Sequence, residues 1–443
     1  MNLTKAFEER LSNEREDATA ILKALHQEAP TSIRINPFKT GNPDLEAVPW
    51  NQHGYYLPSR PVFTGDPLWH AGAYYVQEAS SMLTGTIARK LYPHAREHTI
   101  IDLCAAPGGK STDLATWAHE QDHWLISNEI IPKRAAILQE NLIKWGLAYP
   151  TVLNNRPEEI GRNLQGIADL LVIDAPCSGE GLFRKDPDSV VEWNPDIPAM
   201  CAVRQKEIVA HAWPSLKEGG YLIYSTCTFA ACENEEMVRW MIETLDANPI
   251  QLPDGITGPE GSAENGYRML PYRTKGEGFF VAILQKTSTA SSLRGKPQRW
   301  SRLNSDVLKS TRTIIDWDGQ ASAIHPHFEA LNKKQLEGLR IVSPGIALSD
   351  TQGKHTHTAA LHQDVDLPYE ALSLDTETAI RFLKREALPI QHTKGIVQLT
   401  CNDLPLGLGK SIGNRINNLY PKGWRIINPA IKPGFSLSDH LSY

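Results

Sequence analysis

The sequence is short of several features, and each shortage narrows what the chain can be. No run of about 18 apolar residues exists, so no segment reads as a membrane-crossing helix. The opening MNLTKAFEERLSNERED is charged and helix-like and lacks the apolar stretch of a secretory signal. Cysteine is scarce: Cys104, Cys177, Cys201, Cys227, Cys232 and Cys401 are all there are. No two form a CxxC pair and none cluster at zinc-ligand spacing, so the expectation is reduced thiols in a cytoplasmic protein rather than a disulfide or zinc scaffold. An overall basic excess is also missing. The formal charge is −6, which by itself argues weakly against a polyanion binder. No internal repeat or low-complexity tract is visible.

What is present is the composition of a globular chain, 41% hydrophobic over 443 residues, enough for two to four domains. Charge is unevenly spread. Residues 394–443 carry six basic side chains (Lys394, Lys410, Arg415, Lys422, Arg425 and Lys432) against Asp403 and Asp439. A local basic surface matters more to a polyanion than the global sum.

Residues 4–28 read as one amphipathic helix ending at Ala29-Pro30, followed by a Pro-punctuated stretch to about residue 70. From residue 98 short apolar strands alternate with helices. Strands are expected at 98–104, 123–129, 149–153, 168–175, 221–227 and 278–285, with helices at 110–120, 132–145, 199–217 and 232–246. That alternation implies an α/β fold with a doubly wound, mostly parallel sheet. Residues 291–302 are polar and basic and read as a linker; 396–400 and 403–410 read as a strand, a turn and a second strand.

The first strand runs into Cys104-Ala105-Ala106-Pro107-Gly108-Gly109-Lys110 and then a helix. Small residues let backbone approach a ligand, and the helix N-terminus offers free N–H groups, at the sheet edge where such folds bind nucleotides. A P-loop NTPase needs Gly at position 104, where this chain has Cys. Glu129, ending the next strand, is the acidic residue expected on ribose hydroxyls. Asp102 is either a structural cap on the loop or a partner for the cationic end of a cofactor.

Two more strands end in cysteine: Asp174-Ala175-Pro176-Cys177-Ser178-Gly179 and Ser225-Thr226-Cys227-Thr228. Either cysteine alone is ordinarily a buried core thiol. Two at the cofactor edge fit a specific chemistry. Carbon 5 of cytosine is too poor a nucleophile to take a methyl group directly. A thiolate adding to carbon 6 makes carbon 5 enamine-like. A carboxyl such as Asp174 can engage the ring nitrogen or exocyclic amine, and a second thiol can take part in expelling the first.

These residues resemble the Nop/Sun-type RNA (cytosine-5) methyltransferases, and within them the bacterial ribosomal small-subunit methyltransferase F branch. Seven ordered matches span about 250 residues: RINP (34–37), YYVQEASSM (74–82), DLCAAPGGKS (102–111), DAPCSGEG (174–181), FRKDP (183–187), YSTCTF (224–229) and RMLPYRTKGEGFF (268–280). The resemblance implies a Rossmann-like class I methyltransferase with S-adenosylmethionine as cofactor. It puts Cys104–Lys110 on the methionine part, Glu129 on the ribose, Asn155 or its rival Arg156 at the adenine, and Asp174 by cofactor and base. Cys227 would be the covalent nucleophile and Cys177 the residue serving adduct breakdown. Lys185 of FRKDP resembles an active-site lysine, its alternative being a phosphate contact or a surface position.

The resemblance also implies an N-terminal α+β RNA-binding extension (1–90), a catalytic domain (91–288), a linker and intermediate domain (289–375) and a PUA-like β-rich module (376–443). Within 405–425, Tyr420 and Trp424 interleave with basic residues as if to stack bases. The expected partner is ribosomal RNA, as small-subunit RNA or the 30S particle, with no membrane and a monomeric state. Two rival readings are a DNA cytosine methyltransferase, which would use Cys177 as nucleophile, and a non-catalytic RNA-binding assembly factor.

Overall fold

The computed structural model describes residues 3–94, 96–291, 293 and 295–441. Its largest element is a ten-stranded mixed sheet. Five strands run parallel in the order Leu216–Thr226, Ala168–Asp174, Thr99–Asp102, Trp124–Asn128, Thr151–Leu153. Phe279–Lys286 pairs antiparallel beside Leu216–Thr226, and further short antiparallel strands follow it. The α/β alternation therefore yields the Rossmann-like doubly wound sheet expected from the sequence. Strand order reverses on either side of Thr99–Asp102, opening a crevice at the carboxyl ends of that strand and Ala168–Asp174. The central strands are buried on both faces, which is why they read as unbroken apolar runs.

The expected helix over 4–28 is two helices, Lys5–Glu14 and Ala18–Leu25. Arg15 is extended and its guanidinium bonds Asp17 at 2.7 Å, which breaks the helix between them. The break lets Phe7, Leu11, Ile21 and Leu25 meet in one cluster with Phe183, Trp193 and Phe229 of the catalytic domain. A three-stranded antiparallel sheet follows, with Thr31–Ile35 between Gly54–Leu57 and Tyr74–Val76.

The RINP segment clamps this extension to the cofactor helix. Arg34 is fully buried and donates to Gln77 (2.8 Å), to the Thr112 hydroxyl (2.6 Å) and to the Gly109 carbonyl (3.2 Å), with its guanidinium 4.5 Å over the Trp145 ring. Asn36 donates to the carbonyls of Gly72 and Trp145.

Beyond the catalytic sheet, Arg302–Leu303, Thr313–Trp317, Gln320–Ile324 and Gly345–Ser349 form a four-stranded antiparallel sheet. Ile341–Ser343 leaves it to pair antiparallel with Thr151–Leu153 on the edge of the catalytic sheet. In the expected linker, Ser292 and Arg294 lie outside the described residues. The C-terminal module is a second four-stranded sheet in which the Gly395–Cys401 and Leu404–Ser411 hairpin is flanked by Ala371–Ser373 and Ile416–Asn418.

Residues 63–74 meet residues 435–437. Buried Asp66 accepts from the Leu437 backbone at 3.0 Å, from Leu68 N at 3.1 Å and from the Tyr74 hydroxyl at 3.0 Å, while Phe435 packs on Phe63 and Tyr74. Lys39 joins three segments at one point, its ammonium donating to the carbonyls of Ala71, Lys144 and Leu361 at 2.8, 2.7 and 3.3 Å.

Candidate active site

Two adjoining cavities occupy the crevice. The larger, about 570 Å³, is lined by Leu103, Cys104, Glu129, Ile130, Asn155 and Arg156 among others. The smaller, about 350 Å³, holds Lys110, Asp174, Lys185, Cys227, Glu78 and Phe279. Cys104 lines both, so the first opens toward the second.

The loop after Thr99–Asp102 is held from outside. Arg134 donates to the Ala106 carbonyl and Asn141 to the Pro107 carbonyl, each at 2.8 Å. Gly108 has φ +118°, which only glycine adopts without strain, and it leads directly into the Gly109–Gln121 helix. Glu129 lies almost wholly buried, accepts from Ile131 N at 2.9 Å and sits 3.3 Å from Arg134. Of the two readings left open by the sequence for Asp102, the structure shows the capping contact. Ser111 caps one oxygen at 2.6 Å, and the other oxygen is buried with no hydrogen-bond partner. Burial pushes its carboxyl up to about 7 against the pull of Ser111. The Glu129 carboxylate at a strand end and a cavity of about 570 Å³ beside it suit an adenosyl ligand.

Asn155 lines the larger cavity beside Arg156. Its side-chain amide donates to the Arg340 carbonyl (3.0 Å) and its side-chain oxygen accepts from Arg340 N (2.9 Å). Both polar ends are committed to the incoming Ile341–Ser343 strand, so Asn155 lines the cavity with its side chain already satisfied. Arg156, exposed at the same rim, has its side chain free of a recorded acid partner among the described residues.

The parallel pairing of Asp174 with Ser225 places the two cysteine loops side by side. The Cys177 and Cys227 sulfurs are 3.4 Å apart, and neither residue is fully buried. The hydrogen bond to Cys227, followed by burial, raises the Cys177 thiol well above its ordinary value, so Cys177 keeps its proton. Lys110 turns its side chain away from the loop and pairs with Asp174 at 2.7 Å, 5.2 Å from the Phe279 ring centre. Burial works against the Lys110 ammonium, but Asp174, with Asp102 and Cys227 behind it, outweighs burial and the net shift is upward. Ser225 donates to the other Asp174 oxygen at 2.8 Å. Lys185 is exposed at the mouth, where the smaller cavity meets an outer groove reaching Thr31 and Arg60.

Three supporting residues were not readable from sequence. Gly181 N donates to the Cys227 carbonyl at 2.8 Å, and a Cβ there would meet that carbonyl at 2.9 Å. Glu180, fully buried, accepts from Phe229 N and Trp193 and pairs at 2.6 Å with Arg10 of the first helix. Glu233 is buried beneath the Cys177 loop, where burial pushes its carboxyl up to about 7. Their partners lie far away in sequence; only the Gly-Glu-Gly triplet, typical of a tight turn, hinted at one of them.

The expected stacking surface on the C-terminal module is also corrected. Tyr420 is 1% exposed and packs against Phe382, His357 and Trp424. It belongs to that module's core, whereas Lys394, Lys410, Arg415, Lys422 and Lys432 are exposed. Among the described residues, no helix is long and apolar enough to cross a membrane, and no group of three or more His, Cys, Asp or Glu side chains is placed to hold a metal ion.

The fold and the crevice define a Rossmann-like, S-adenosylmethionine-dependent methyltransferase. Family models match in register with the architecture. They are the N-terminal domain of 16S rRNA methyltransferase RsmF over residues 3–79, 16S rRNA methyltransferase RsmB/F over 88–285, and the methyltransferase RsmF PUA domain over 369–426. The chain belongs to the RsmB/F family of 16S rRNA methyltransferases. It is 29% identical over 443 residues to ribosomal RNA small subunit methyltransferase F of Escherichia coli O157:H7, covering 90% of this chain and 91% of the relative. The Salmonella arizonae protein of the same name is 29% identical, covering 88% and 89%. A methyltransferase homolog from Pyrococcus horikoshii superposes with TM-score 0.51 at 26% identity over 61% of this chain and 91% of that one. NSun6 from the same organism, solved with SFG, gives 0.55 at 20% identity over 64% and 98%, a likeness of fold alone.

Proposed function

We propose that this 16S rRNA methyltransferase modifies carbon 5 of a cytosine through a covalent adduct with Cys227. The observation that carries the reading is the pair of sulfurs 3.4 Å apart, with Cys227 lining the smaller cavity together with Asp174. Lys110 lines that cavity too and Cys177 is not among its lining residues, which favours Cys227 as the sulfur that attacks. The Cys227 sulfur bonds to carbon 6, and Asp174, oriented by Lys110 and Ser225, receives the polar edge of the base. S-adenosylmethionine would supply an electrophilic methyl group, with the Cys104–Lys110 loop holding its methionine part, Glu129 on its ribose and Arg156 or Asn155 at its adenine. Release follows. A base removes the carbon 5 proton, that electron pair forms the carbon 5–carbon 6 double bond, and Cys227 leaves as thiolate with the carbon–sulfur pair. Cys177, its sulfur 3.4 Å from that of Cys227, stands where it can take part in this release.

The ring must be presented face-on to sulfur, which favours single-stranded or flipped-out RNA at a cost of a few kcal/mol. Lys185 at the mouth and the exposed lysines of the PUA domain suit phosphate contacts. We take the working unit to be a cytoplasmic monomer acting on small-subunit RNA or the 30S particle.

The test is transfer of radiolabelled methyl to small-subunit RNA and to 30S particles from an unmethylated strain. Wild type should place label in 5-methylcytosine. Cys227→Ala should place none while retaining cofactor binding, and Cys177→Ala should trap protein on RNA in a denaturing gel. Full activity of Cys227→Ala sinks the covalent assignment.

A further inference from the structure

Below the Cys177 loop lies a polar network that the chemistry above does not use. Glu233 sits in the 3-10 turn that opens the Glu235–Thr244 helix and is completely buried. One carboxylate oxygen accepts from Ser178 N at 3.0 Å and from Gln205 Nε2 at 2.8 Å. The other accepts a short hydrogen bond from the Ser178 hydroxyl, which also contacts Thr228 at 2.7 Å. Gln205 in turn donates to the Pro176 carbonyl at 3.0 Å. Tyr224 closes the circuit, donating to the Gln205 side-chain oxygen at 3.0 Å and to the Glu233 carbonyl at 2.8 Å. The residues on either side of Cys177 are therefore both tied to one buried carboxylate, while Cys177 itself makes its sulfur contact to Cys227.

We propose that Glu233 is a positioning residue that fixes the Pro176–Ser178 turn and so holds Cys177 against Cys227 for release of the adduct. The inference rests on the covalent reading above. Cys227 touches the network only through its neighbour Thr228 and is held besides by Gly181 N and the strand end at Thr226, neither of which Glu233 contacts. Loss of Glu233 should thus leave formation of the adduct largely intact and slow its breakdown.

Glu233→Ala removes all three acceptor contacts. The expected result is a roughly 10- to 100-fold slower release, with covalent enzyme–RNA accumulating on a denaturing gel and cofactor affinity unchanged. Glu233→Gln keeps an acceptor for Ser178 N and Gln205 and can donate to the Ser178 hydroxyl, so it should restore release. Cys177→Ala/Glu233→Ala should trap no more adduct than Cys177→Ala alone, because Glu233 acts through Cys177. Where Glu233→Ala does not fold, Ser178→Ala removes one leg of the network and should trap a smaller fraction.

Wild-type release by folded Glu233→Ala, or by Ser178→Ala when that variant must stand alone, overturns the proposal. So does Gln behaving as badly as Ala, or a parallel loss of cofactor binding and adduct formation. The underlying reading fails separately, if Cys177→Ala traps no adduct or Cys227→Ala still forms one.

Discussion

Replacing Arg10 with Met should destabilise the protein strongly at neutral pH and much less in mild acid. Arg10 reaches from the N-terminal helix to Glu180, at 2.6 Å, with side-chain exposures of 16% and 0%. Breaking a buried pair by removing one partner leaves an uncompensated charge and costs about 3–5 kcal/mol. Burial already raises the Glu180 carboxyl, with Arg10 opposing that rise, so Arg10→Met pushes it up further. A carboxyl raised in the folded state binds more protons there than in the unfolded chain. The variant therefore gains stability as pH falls through the raised folded value toward its unfolded value. The deficit relative to wild type should be larger at about pH 8 than at about pH 5, because protonation of the raised Glu180 carboxyl removes the stranded charge. Urea unfolding followed by Trp fluorescence suits the measurement, since Trp193 donates to Glu180 and packs 5.6 Å from Phe7. Arg10→Met/Glu180→Gln should recover part of the loss at about pH 8, because no charge is then stranded. Equal deficits at the two pH values, or none at either, would refute the claim that Glu180 is a buried anion held by Arg10.

Lys39→Met strips three carbonyls of their shared donor. Partial relief from ammonium burial offsets this, so the unfolding free energy should fall by about 2–4 kcal/mol, and an unchanged urea midpoint would discount the three-way junction. Glu129→Ala should weaken S-adenosylmethionine binding roughly 10- to 100-fold by calorimetry while leaving the thermal midpoint within a few degrees; unaltered affinity removes Glu129 from the ribose.

The catalytic sheet was legible because parallel strands buried on both faces leave uninterrupted apolar runs, and because loop, acid and both cysteines follow strand ends within short local motifs. The supports were not. Glu233 and Glu180 meet Ser178 and Arg10 across large sequence separations, and an acid about to be buried looks like one in solvent. The break at Arg15–Asp17 was hidden because both helices send apolar residues to the same cluster, so their pattern runs on as one. Tyr420 was misjudged for the opposite reason: basic neighbours on an exposed turn suggested a surface ring, while Phe382 and His357, which bury it, come from earlier segments. One missed signal was local. Asp318-Gly319, with φ +51° and +80°, makes the tight turn between Thr313–Trp317 and Gln320–Ile324, and an Asp-Gly pair between alternating strands announces a hairpin.

Asp66 has a bearing on how the protein matures. Its carboxylate is among the early residues made, yet the Leu437 and Ser436 contacts that complete its shell are among the late ones. At ~5–20 residues per second, the ribosome needs on the order of half a minute between them. During that interval the N-terminal sheet carries a half-solvated acid and the uncovered rings of Phe63 and Tyr74, which Phe435 later shields. The N-terminal sheet is thus finished only after residues 435–437 are made, so nascent chains stalled short of residue 435 should be captured by chaperones through that open seam.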